Sequence, residues 1–181
     1  MPSAAPSHRR QRWSRAAVVS ICAATVMSGQ LAVAQMSEDE REVVSTVQRL
    51  FDALGSCDAD GVRAVTMADG RIFRLMPGGE APATLRSSTL AEFAGTLEKC
   101  PRRLFERMWE PRVLVHKGIA SLWAPYDFWL NGTFSHCGVD VFDLVKTEAG
   151  WKISGGIYTV EREGCRPSPL GPPSFPAQEV R

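Results

Sequence analysis

The run from Tyr126 to Cys165 constrains this chain most, because it reads as three consecutive antiparallel strands joined by turns of defined chemistry. Asn131-Gly132 suits a two-residue type I′ turn, in which both central residues need positive φ. Glu148-Ala149-Gly150 supplies a second, three-residue turn ahead of Trp151-Lys152-Ile153. From residue 102 onward the apolar period falls to two, which predicts strands over about 102–116, 119–130, 133–146 and 151–162. Strands this long exceed the usual five or six residues and fit a strongly twisted sheet wrapped around a helix.

The preceding half supplies that helix. Ser37 and Glu40 have the spacing of a capping box, and Val43, Val44, Val47, Leu50, Phe51 and Leu54 then repeat as one apolar stripe up to Gly55. Asp58 opens a shorter helix ending near Val65, Arg71 to Met76 reads as a strand, and Thr89 with Glu92 starts a third helix that stops at Pro101. Helices followed by a curved antiparallel sheet are an α+β order, here in a single domain.

Both ends read differently from this domain. His8, Arg9, Arg10, Arg12 and Arg15 precede an apolar run from Ala16 to Val26, and Ala32-Val33-Ala34 offers a small-x-small cleavage site. Residues 1–34 therefore read as a signal peptide, the domain as 35–165, and the proline-rich residues 166–181 as a disordered tail. The expected location is secreted or periplasmic. Cleavage removes four of the 21 basic side chains and none of the 20 acidic ones, so the mature chain is slightly acidic; nucleic acid and anionic membranes are poor partners for it. Cys57, Cys100, Cys137 and Cys165 remain, an even set that permits two disulfides in any of three pairings, or four idle thiols.

Several chemistries lack their residues. The mature chain has His116 and His136 only and no Cys-x-x-Cys pair, so no metal site is expected; no phosphate loop, dinucleotide fingerprint or nucleophile elbow is present, and no cofactor is expected. Strand register is more informative. With a two-residue Asn131-Gly132 turn, Asp127 opposes His136, and with a three-residue second turn Asp140 opposes Tyr158. Asp127, His136, Asp140 and Tyr158 then share one face, and Tyr126, Phe128, Cys137 and Val139 the other; a β-bulge would exchange the sets. A carboxylate beside an imidazole raises its pKa and suits a general acid/base or a polar-ligand anchor. The plainer account of that pair is a solvated cross-strand contact worth a few tenths to about 1 kcal/mol. Trp109 and Trp129, with Tyr126 and Phe128, are the aromatic candidates for a ligand wall, against an ordinary core role. Arg102, Arg103 and Arg107 could recognise an anion or serve as a solvated strand edge.

Tyr126-x-Phe128, Ser135-His136-Cys137-Gly138 and Gly150-Trp151-Lys152-Ile153 resemble the final meander of the nuclear transport factor 2-like superfamily, closest to its SnoaL-like and lumazine-binding members. The resemblance extends in pattern over Ser37 to Cys165. It implies a cone around one pocket, and a function as a holder of a small organic molecule, as a cofactor-free isomerase, cyclase or dehydratase using Asp, His and Tyr, or as a module that homodimerises through the sheet.

Overall fold

The computed structural model describes residues 36–78 and 82–175; the expected leader and the end of the tail lie outside the described residues. The Ser37 hydroxyl accepts from the Glu40 backbone N–H while the Glu40 carboxylate accepts from that of Ser37, and this capping box starts α1 (Glu38–Ser56). The helix runs past Gly55 and stops at Cys57, which turns left-handed at φ 55°. Asp58 caps α2 (Ala59–Val65), and a second capping box, Thr89 with Glu92, starts α3 (Leu90–Leu97).

The strands are β1 (Thr66–Met76), β2 (Thr84–Thr89), β3 (Leu104–Met108), β4 (Arg112–His116), β5 (Ile119–Leu130), β6 (Thr133–Thr147) and β7 (Gly150–Thr159). They form one curved sheet in the order β2-β1-β7-β6-β5-β3, with β4 also on β5, and all neighbours are antiparallel except β1 with β7. The expected strand over 102–116 is thus two, broken where Glu110 adopts φ 48° ahead of Pro111. β2 has no counterpart in the sequence reading, because Thr84 to Thr89 is short and largely exposed on an edge.

The α1 stripe packs into the concave side of the sheet as the periodicity requires. Val43, Val47, Leu50, Phe51 and Leu54 are buried against Leu122, Ala124, Phe142, Leu144 and Ile153, with the Phe51 and Phe142 rings 6.2 Å apart. Of the three possible pairings, the cysteines adopt Cys57–Cys100, which joins the end of α1 to the segment after α3, and Cys137–Cys165, which ties β6 to the chain beyond β7. That second bridge starts a strap. Gly171 accepts from Arg107, and Phe175 packs edge-on against Phe105 at 5.4 Å and beside Trp129 at 5.8 Å. Residues 166–175 therefore lie on the outer face, where proline content suggested disorder; Phe175 supplies the apolar anchor that composition understated. No helix among the described residues is long and apolar enough to cross a membrane.

Candidate functional site

Two β-bulges decide which side chains enter the cone. Asn131 and Gly132 form the expected turn at φ 53° and 80°, with Leu130 opposite Thr133 and Trp129 opposite Phe134. Ser135 is then an extra residue: Phe128 pairs with His136, and Asp127 with Cys137. One inserted residue flips everything beyond it to the other face. The expected Asp127–His136 pair therefore does not exist. His136 joins Tyr126 and Phe128 inside the cone, while Asp127 and Trp129 point outward. At the other hairpin the turn has two residues, with Thr147 opposite Gly150, and a bulge at Ser154 restores the register so that Asp140 opposes Tyr158 as expected.

The inward faces of β1, β3, β5, β6 and β7, with α1 and α3, enclose a cavity of about 390 Å³. Its apolar wall includes Phe51, Phe93, Leu97, Phe128 and Phe142. The His136 ring stacks on Phe128 at 4.8 Å and meets Tyr126 edge-on at 5.8 Å, while its Nδ1 lies 3.0 Å from Ser135 Oγ. Among the described residues, no carboxylate contributes to its charge state. Burial, and then the nearby guanidiniums of Arg162 and Arg74, push its pKa down to about 4, so the imidazole is neutral at physiological pH. The Asp127 partner imagined from the sequence would have raised that pKa; the bulge removes it.

Two carboxyl groups meet in the same cavity. Asp140 is 1% exposed, and its carboxyl faces that of Glu106 within hydrogen-bonding reach. If both were ionised, the buried Asp140 Oδ2 would have no donor at all. A proton held by the pair supplies one. Burial is the first cause that raises both pKa values, Glu106 to about 8 and Asp140 well above the carboxylate range, and the negative charge of Glu106 is the second for Asp140. Two hydroxyls stand near. Tyr126 donates to the Thr159 carbonyl at 2.6 Å, and the Tyr158 oxygen accepts from Arg74. Both tyrosines are pushed up by burial and stay protonated. Arg74, Arg102 and Arg162 also line the cavity.

Of the residues singled out in the sequence, the fold thus gathers His136, Asp140, Tyr158, Tyr126 and Phe128 in one cavity. Asp127 is instead buried on the outer face, where it accepts a bidentate pair from Arg107 at 2.9 and 2.5 Å. Trp129 packs against Phe134 and Phe175, and Trp109 is buried outside the cavity, its backbone N–H bonded to the Pro125 carbonyl. Glu106 and Arg74 escaped the sequence reading. The signal for Glu106 was present: it alternates with Leu104 and Met108, so it shares their inward face. Among the described residues, no group of three or more His, Cys, Asp or Glu side chains could hold a metal ion.

Comparison with solved structures gives a TM-score of 0.56 to an NTF2-like protein from Cytophaga hutchinsonii, at 11% identity over 69% of this chain and 99% of that one. A nuclear transport factor 2 (NTF2-like) superfamily protein from Salmonella enterica gives 0.54, at 14% identity over 70% and 94%. An NTF2-like protein with a cystatin-like fold from Novosphingobium aromaticivorans gives 0.53, at 16% identity over 71% and 84%. No protein-family model and no curated protein matches the sequence. At such identities the likeness is one of fold.

Proposed function

Starting from the nuclear transport factor 2-like fold of this chain, we propose that it is an exported protein that holds a small organic molecule in its cone. The observation that carries this reading is the Glu106–Asp140 pair: two carboxyl groups, satisfied at Asp140 Oδ2 only by a proton they share, meet in a cavity whose wall combines rings and aliphatic side chains with a few polar and basic groups. A bound polar group that donates to this pair gains a hydrogen bond to a charge-bearing acceptor, worth about 1.5–3 kcal/mol. An apolar pocket of a few hundred Å³ with a few convergent polar groups is the usual form of a small-molecule site. Export rests on the leader-like residues 1–34 and is compatible with two disulfides.

A second reading is favoured by the meeting of these two carboxyl groups in the cavity. A carboxyl with its pKa near 8 in a cavity is poised to give or take a proton near neutrality, so Glu106 with Asp140 could serve a cofactor-free isomerase, cyclase or dehydratase. The homodimer through the sheet also has a surface. Trp123, Val141, Ile157 and Phe73 form one continuous outward row across four strands, with Trp123 and Ile157 exposed.

Native mass spectrometry of the exported protein, followed by ligand-detected screening of small polar aromatics, tests the main reading. The wild type should carry or take up a small molecule that Asp140→Leu, melting normally, does not. An empty wild type that binds nothing in the screen, or equal uptake by the variant, overturns it. Turnover of a bound molecule that stops in Glu106→Gln would establish the enzyme reading.

A further inference from the structure

The pairing of β1 with β2 sets Arg74 directly opposite Arg86. Like charges facing each other across an antiparallel pair are destabilising. Neither guanidinium forms an ion pair among the described residues. Arg74 gives one hydrogen bond to Tyr158 and keeps further N–H groups to offer, since a guanidinium carries five. Beside the two arginines lies a second hollow of about 320 Å³, and it shares Ile72, Arg74, Phe93 and Tyr158 with the main cavity. Ser88 adds a hydroxyl to this vestibule. Among the described residues, two facing cations thus stand beside a hollow that shares four lining residues with the aromatic chamber, and no anion is ion-paired with either of them.

We infer that the ligand is an organic acid, its carboxylate held between Arg74 and Arg86 in the vestibule and its ring-bearing body in the cavity beyond Tyr158. The inference rests on the small-molecule reading above and names the class of molecule. A guanidinium fork matches a carboxylate in geometry as well as charge. Phe93 and Tyr158, common to both hollows, offer the faces and edges along which an aromatic ring packs.

Calorimetric titration of the full domain with phenylacetate, phenylpropanoate and phenylbutanoate, each beside its methyl ester, tests the assignment. At least one acid should bind about tenfold or more tightly than its ester, the size of one charge-assisted hydrogen bond. That advantage should fall to about twofold or less in Arg74→Gln or Arg86→Gln, and added salt should weaken the acid and not the ester. Arg86 is exposed, so Arg86→Gln remains informative should Arg74→Gln fold poorly. Esters that bind as well as acids, or an acid advantage that survives in both variants, would overturn the organic-acid assignment and leave the small-molecule reading standing. Binding of neither acids nor esters would overturn both.

Discussion

Replacing Glu106 with Gln should weaken a specific pH dependence of stability. In the folded protein burial raises the Glu106 pKa from 4.5 to about 8, so above about pH 4.5 the native state keeps a proton that the unfolded chain has released. A proton bound more tightly in the native state means that stability falls as pH rises, by about 1.4 kcal/mol per pH unit. Between about pH 4.5 and 6.5 this slope is offset by His136, whose depressed pKa has the opposite effect. From about pH 6.5 to 8 the carboxyl pair acts alone, and the wild type should lose roughly 2 kcal/mol. In Glu106→Gln one of the two titrating groups is gone and the amide can donate to Asp140, so the loss should shrink, leaving only the part due to the burial of Asp140. Guanidinium chloride melts at closely spaced pH values measure this directly. A flat wild-type profile over that window, or the same decline in the variant, would refute the shared-proton arrangement.

Three further outcomes follow from the packing. In His136→Phe the loss of stability attached to protonating the imidazole should disappear, so the wild type should weaken relative to the variant by about 1.4 kcal/mol per pH unit as pH falls from about 6.5 to 4; parallel profiles would contradict the neutral, desolvated ring. Phe51→Ala removes a ring that is 3% exposed and should cost about 3–5 kcal/mol in denaturant melts, whereas a change below about 1 kcal/mol would show that the α1 stripe is not core. Asp127→Ala strands the Arg107 guanidinium under the strap and should cost about 3–5 kcal/mol without weakening ligand binding; a binding loss with little destabilisation would return Asp127 to the site.

Local chemistry made most of the fold legible. Ser37 with Glu40, Thr89 with Glu92 and the Asn131-Gly132 pair each name a helix start or a turn through hydrogen bonds or φ requirements that few residues meet, and all three appear as read. Face assignment was less legible, because it depends on a bulge. Ser135 has no Gly or Pro to announce an extra residue, yet it moves His136 into the cone and Asp127 out of it. At the other hairpin a shorter turn and the Ser154 bulge cancel, so Asp140 and Tyr158 face each other as read although the turn itself was assigned one residue too long. Glu106 lies among Arg102, Arg103 and Arg107, which read as an anion site or a solvated strand edge. Its partner Asp140 lies 34 residues downstream and is brought to it only through β5, which pairs with both strands.

The proposed function puts binding in the cone cavity and not on the outer face of the sheet. Amide and side-chain chemical-shift mapping during titration with whichever phenyl-substituted acid binds most tightly tests it most directly. Shifts should concentrate at Tyr126, His136, Asp140 and Tyr158, with Trp123 and Trp129 unmoved. Shifts concentrated at Trp123, Ile157 and Trp129, with the cavity residues silent, would contradict it.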